Sequence, residues 1–295
     1  MEVRRALHAG SWYPRSKSDL INNLNKYFND EKFGPGTELK TLNQETRTII
    51  GAVSPHAGHE YSGRCAAFSY LNLFKEKIPD TIIILGTDHI GYDKIALMKE
   101  GEWETPLGNL KIDSELAQKI LDNSEVVTLD NSAFIGYPFE REHNIEIQLP
   151  FIKYCANGSD VKIVPIKIAS KFRDNYEILE KLANNMAQSI KSIKKDIVIV
   201  ASSDMSHEEI YNLSDVEKFK TRDKNFINAF VELNPKKAFE TAYRSVCGKH
   251  TITTLMLTCQ NLEAKTGKFL QYYTSYDITE NLGYCVGYFS GIIMK

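Results

Sequence analysis

Cysteine is scarce and scattered. Cys65, Cys155, Cys247, Cys259 and Cys285 are odd in number, widely spaced and contain no C-x-x-C pair. That spacing argues against a disulfide framework and a conventional structural zinc site, so most of these thiols are expected as buried small hydrophobes. No run approaches the roughly 20 apolar residues of a membrane-spanning helix. Arg4 and Arg5 near the start have no apolar stretch behind them of the kind a signal peptide needs. The expectation is a cytoplasmic protein without a membrane partner. Neither sign of charge dominates: 36 Lys+Arg against 38 Asp+Glu leave a net charge of −2. This balance carries no electrostatic footprint for nucleic acid, so the expected partner is a small molecule, peptide or protein; oligomeric state stays open. The chain also lacks a Walker loop, a G-x-G-x-x-G after a strand and a G-x-S-x-G elbow. Nucleotide binding, and a Ser–His–Asp hydrolase built on Ser203 or Ser206, therefore have no motif behind them.

What is present is an ordinary globular composition, 42% hydrophobic and 25% charged over 295 residues, which excludes disorder, collagen and a coiled coil. Short β-branched runs at 49–53, 81–85, 161–166 and 197–200 have the character of strands buried on both faces. Helical stretches lie between and after them, roughly 62–74, 113–121, 142–154, 176–190, 216–233, 235–243 and 252–262, and two strand-like segments, 269–276 and 284–293, close the chain. Alternating strand and helix imply an α/β fold with a largely parallel sheet covered by helices on both faces. Without a linker or repeat, residues 1–295 form a single domain in this reading. The segment 94–111 is expected as a hairpin-like excursion.

The polar residues carry more information than the framework. Strand 49–53 runs into Ser54-Pro55-His56-Ala57-Gly58-His59, strand 81–85 into Gly86-Thr87-Asp88-His89, and strand 197–200 into Ser202-Ser203-Asp204-Met205-Ser206-His207. Ligands of open α/β sheets bind just beyond the carboxyl ends of parallel strands, so these loops should converge on one crevice. One histidine after a strand is commonly no more than a loop hydrogen-bonding residue, and Asp88 and Asp204 have the chemistry of turn and helix caps. Histidine at the end of three separate strands points instead to a site. Neutral imidazole is the commonest ligand for zinc, copper and non-haem iron, which makes His56 and His89 two ligand candidates. The third is either Asp204, giving a two-His-one-carboxylate set, or Cys247. Cys247 stands between Arg244 and Lys249, just before a predicted helix start, a setting expected to lower the thiol pKa. Cys247 with His250 as a nucleophile–base pair is a weaker alternative, because such pairs usually come from separate segments.

Six segments resemble the Memo family in order along the chain. His8-Ala9-Gly10-Ser11-Trp12-Tyr13 is similar to its opening signature, Pro55 to Gly63 to its P-H-A-G-Y-x-Y-x-G, and Ile84 to His89 to its I-L-G-x-x-H. Glu142 to Pro150 resembles E-H-S-x-E-x-x-L-P, Ser202 to His207 resembles S-S-D-x-x-H, and Cys247-Gly248 resembles C-G-x-x. The resemblance implies a fold related to the LigB-type class III extradiol dioxygenases, with a mixed, mostly parallel sheet and a metal pocket at one edge. It implies metal ligation by His56, His89 and Cys247, with Asp204 and His207 as further pocket residues. The dioxygenases hold Fe(II) with a carboxylate at the third place; a cysteine there gives softer ligation, favouring copper or altering the iron potential.

The leading expectation is therefore a mononuclear iron(II) or copper centre, with zinc also possible, performing redox or oxidative chemistry on a small molecule. His207 would be the acid/base group and Asp204 its orienting partner. Glu142 and His143 either line the crevice or stabilise a helix, and Trp12 and Tyr13 are candidates for an aromatic wall. Two alternatives stand beside this expectation: a peptide- or ligand-binding module without turnover, and a metal-assisted hydrolase.

Overall fold

The structure, a computed structural model, describes residues 2–242 and 246–295. The chain opens with β1 (Val3–Arg4) and α1 (Lys17–Asn29), then β2 (Ile49–Ser54), α2 (His59–Lys75) and β3 (Thr81–Thr87). Three short strands follow, β4 (Ile95–Leu97), β5 (Glu102–Trp103) and β6 (Leu110–Lys111), then α3 (Ser114–Asp122), β7 (Val127–Leu129) and α4 (Leu149–Ala156). The second half holds β8 (Lys162–Ile168), α5 (Tyr176–Lys191), β9 (Ile197–Ser202), β10 (His207–Ile210) and α6 (Leu213–Val231). After α7 (Pro235–Thr241) and α8 (Lys249–Asn261), the chain closes with β11 (Thr266–Thr274), α9 (Ser275–Thr279) and β12 (Gly283–Met294).

The main sheet runs β10-β12-β2-β9-β3-β8-β4-β7, with β11 paired to β12. Its centre, β2-β9-β3-β8, is parallel, whereas β12 lies antiparallel to β2 and β4 antiparallel to β8. This is the mixed α/β architecture that the strand–helix alternation implies. The central strands are buried along nearly their whole length, as β-branched runs must be when helices flank a parallel sheet. A main hydrophobic core runs through the sheet and its helices, with two smaller clusters around Phe219 and Tyr273. Among the described residues no helix is long and apolar enough to cross a membrane.

Several elements depart from the sequence reading for identifiable reasons. The helix expected over 142–154 is a short 3-10 turn at Glu146–Gln148 followed by α4; Pro150 has no N–H to donate and is tolerated only in the first turn, so it starts the helix instead of lying inside it. The 94–111 excursion divides. β5 and β6 do form an antiparallel hairpin, joined by β1 in a separate three-stranded sheet, but β4 enters the main sheet. Helix α1 was not anticipated: its buried stripe, Leu20, Leu24, Tyr27 and Phe28, is diluted by polar residues, and its start is marked by the Ser16 side chain accepting from the Asp19 N–H. Tyr243, the last residue of the helix expected over 235–243, lies outside the described residues.

The first strand is tied across the molecule. The Arg4 guanidinium is buried against the Glu146 carboxylate, donates to the carbonyls of Glu140 and Glu142 at 2.7 and 2.6 Å, and lies 4.7 Å over the Trp103 ring. Glu146 in turn accepts from the Tyr13 hydroxyl at 2.6 Å and the His8 N–H at 2.8 Å. Residues 4–13 are thus fastened to the segment before α4.

Candidate metal centre

Because β9 lies between β2 and β3, three adjacent parallel strands deliver their next residues to one edge. Ser54 is level with Ser202, and Leu85 with Ala201, so the loops beginning at Pro55, Asp88 and Ser203 emerge side by side. Cys247 arrives from a fourth segment, just before α8. Ligand atoms of His56, His89 and Cys247 lie within 4.8 Å of one another. The His56 Nε2 is 3.1 Å from the Cys247 Sγ, across 191 residues of sequence, and the two imidazole rings are 5.4 Å apart, edge to face. Two nitrogen donors and one sulfur, held this closely on rigid elements, fit a metal-binding arrangement.

Two glycines permit the approach. A methyl at Gly248 would sit 2.6 Å from Ser203 Cβ and Oγ and from Thr251 Oγ1, and one at Gly86 would sit 2.4 Å from Asn144 Oδ1. The C-G pair is therefore a packing requirement: Gly248 lets the Cys247 turn close onto the loop just after β9, where the Gly248 N–H donates to Ser203 Oγ at 3.0 Å.

Burial sets the electrostatics. It lowers the His56 pKa to about 4, with Asp204 opposing the shift and His89 and His207 adding to it. His89, more open to the cavity, is lowered in the same direction by partial loss of solvent. These imidazoles are neutral at pH 7, the form that ligates. Cys247 overturns the expectation of a lowered thiol pKa: burial, and then the charge of Asp204, push it up to about 12. Its sulfur is packed against His56 Nε2, the Asp204 carbonyl at 3.4 Å and Ser203 Oγ at 3.7 Å. Lys249, one of the two expected cations, turns away to pair with Asp174 at 2.6 Å and to lie 4.4 Å over the Phe239 ring. The other, Arg244, lies outside the described residues.

Asp204 is buried, yet held below the usual carboxylate range: burial raises it, and the His56 and His207 rings and the His56 N–H together outweigh that. Its Oδ1 accepts the N–H groups of His56 and Ala57 at 2.7 and 3.3 Å. Its Oδ2 lies 3.7 Å from His207 Nε2 and 4.0 Å from His56 Nε2. His207, at the start of β10, is only partly buried and faces the same cavity.

That cavity measures about 560 Å³. His56, His89, His143, Asp204 and His207 line it together with Trp12, Tyr61, Tyr284 and Tyr288. His143 belongs to the crevice: its ring stacks on His89 at 5.0 Å, meets His56 edge-on at 5.6 Å and lies 4.4 Å from Trp12. Glu142 is not among its lining residues; that buried carboxylate accepts the Ile145 N–H at 2.7 Å. Tyr13 is buried behind Trp12 on Glu146. His59 and His250 are core residues, and His8 holds the Arg141 carbonyl at 3.0 Å. Of the lining tyrosines, Tyr61 lies in the Pro55–Gly63 segment, whereas Tyr284 and Tyr288 carry no sequence signal, since they reach the site only because β12 pairs with β10, Val286 level with His207.

Fold and site together define a mixed α/β protein with a His–His–Cys cluster at the carboxyl edge of its sheet. The chain belongs to the Memo family: the model described as "Memo-like protein" matches residues 4–292. It is 33% identical over 290 residues to a "MEMO1 family protein" of Nitrosopumilus maritimus, covering 97% of this chain and 98% of that one. A relative of the same description from Desulfurococcus amylolyticus is 36% identical over 292 residues, 98% of each chain. Among solved structures, an uncharacterized protein from Escherichia coli K12 aligns over 84% of this chain and all of that one, at a TM-score of 0.47 and 10% identity; a likeness that loose supports no functional statement.

Proposed function

We propose that the chain, as one Memo-like domain over residues 1–295, binds a single iron or copper ion through His56, His89 and Cys247 and uses it in redox or oxidative chemistry on a small molecule. The observation that carries this reading is the meeting of the three donors within 4.8 Å. A bound ion of this kind supplies Lewis acidity and one-electron chemistry at an open position.

The remaining residues do the positioning and the proton handling. Two backbone N–H groups fix Asp204 Oδ1, which leaves Oδ2 to orient His207. His207 holds or moves a proton at Nε2, on the side of the cavity facing the ligand cluster. Trp12, Tyr61 and Tyr288 give a flat apolar substrate aromatic faces to lie against and exclude water from the floor.

The test is metal retention. The protein purified without oxygen and given Fe(II) or Cu(I) should hold about one equivalent, while His56→Ala, His89→Ala and Cys247→Ser should each lose affinity by more than about 100-fold, beyond the usual cost of losing an outer-shell partner. Equal stoichiometry in all four proteins sinks the assignment. Oxygen consumption with a panel of catechols separates turnover from ligand binding alone.

A further inference from the structure

Ser202 ends β9 and is fully buried. Its hydroxyl has one proton to give and two lone pairs to receive, and three polar groups surround it. The Asn144 carbonyl is 2.6 Å away, the Gln148 Nε2 2.8 Å and the His56 Nδ1 3.1 Å. A carbonyl accepts only, so the Ser202 proton is committed to Asn144.

The Gln148 amide is fixed by its other neighbours. Its Nε2 donates to the Pro55 carbonyl at 3.0 Å, and its Oε1 accepts from the Tyr70 hydroxyl at 2.8 Å. Turned over, the amide would set oxygen against the Pro55 oxygen. Gln148 therefore spends its second N–H on one lone pair of Ser202. The remaining lone pair meets His56 Nδ1, and Ser202 has no proton left to offer. The histidine has to supply one.

We propose that Ser202, held by Gln148 and the Asn144 carbonyl, is a positioning residue that fixes His56 with its proton on Nδ1 and its bare lone pair on Nε2, toward Cys247. The inference rests on the metal-binding reading above for its purpose, though not for its geometry. A neutral imidazole has one N–H, so a proton on Nδ1 leaves Nε2 as a bare acceptor 3.1 Å from the Cys247 sulfur, whose single S–H also has the Asp204 carbonyl within reach at 3.4 Å. With Nε2 already bare, His56 would serve as a ligand without turning its ring or changing tautomer, and only the Cys247 thiol would have to give up a proton to solvent. Hydrogen bonding at the second nitrogen is the general means by which ligating histidines are oriented. It also gives Gln148 and Asn144, in the Glu142–Pro150 segment, a role: the Asn144 side chain lies 3.4 Å from His89 Nδ1, so one residue stands behind both imidazoles.

The experiment reads the tautomer directly. In the metal-free full-length chain with ¹⁵N-labelled histidine, two-bond ¹H–¹⁵N spectra should show His56, identified by its absence in His56→Gln, protonated at Nδ1. Ser202→Ala should move population to the Nε2–H form and weaken Fe(II) binding by about 10–100-fold; Ser202→Thr, which keeps the hydroxyl, should restore both. A purely structural role would lower the melting temperature of Ser202→Ala without moving the tautomer, and that result overturns the proposal. So does a proton on Nε2 in the wild type, a measurement that depends on no variant folding. If the wild type shows Nδ1–H yet binds no Fe(II), the tautomer assignment stands and the metal reading falls.

Discussion

His56 and His59 come from the same short segment, both are buried, and burial lowers both to about 4. They nonetheless live in different chemistry. His56 Nε2 faces a sulfur, a second imidazole and a carboxylate across a cavity. His59 Nε2 donates to the Ile147 carbonyl at 2.9 Å, and its ring is packed among Tyr13, Tyr27 and Phe151. A depressed pKa therefore marks burial at both positions and a site at only one. The second donor within reach makes the difference.

The sharpest way to break this comparison is to delete each ring. His56→Ala should abolish retention of one equivalent of Fe(II), while His59→Ala should lower the melting temperature and leave stoichiometry in the folded fraction unchanged. Comparable metal loss in both would mean that convergence of donors is not what distinguishes them. Next comes acid stability. The unfolded His59 takes a proton near its ordinary 6.5, the folded one only near 4. Between those values the unfolded chain binds more protons, so stability falls as pH drops through that window, by about 3 kcal/mol for one such group. Denaturant midpoints between pH 7 and pH 4 should fall less steeply in His59→Phe than in wild type; identical slopes would contradict the assignment. The smallest effect contrasts two buried acids. Asp204→Asn removes the charge beside His56 and His207 and should weaken Fe(II) binding by about 10–100-fold. Asp223, which accepts from Ser206 Oγ at 2.6 Å and Tyr272 at 2.8 Å on the far side of the same loop, should tolerate Asn with metal affinity unchanged.

The strand ends were legible because β-branched runs stop abruptly at polar residues, so the neighbourhood of His56, His89 and Asp204 followed from order alone. Cys247 was legible as the cysteine to watch, but its charge state was not. Sequence neighbours suggested a cationic setting, whereas the fold turns Lys249 toward Asp174 and leaves the sulfur beside Asp204. Tyr284 and Tyr288 were illegible, since nothing in a strand says which partner lies across from it. Gln148 and Glu146 entered the sequence reading only as members of the Glu142–Pro150 segment; that both are fully buried, and on what, only the folded chain reveals.

The Arg4–Glu146 pair gives the first dozen residues a weight out of proportion to their length. Trimming the chain to begin after Arg4 would strand a carboxylate inside the protein without its counter-charge, a change that typically costs about 3–5 kcal/mol. It would also remove one of the ties on the segment that places Trp12 against His143, leaving those from His8 and Tyr13 to Glu146. An affinity tag is therefore better placed after Lys295, which is exposed, whereas trimming either end removes a paired strand, β1 at one and β12 at the other.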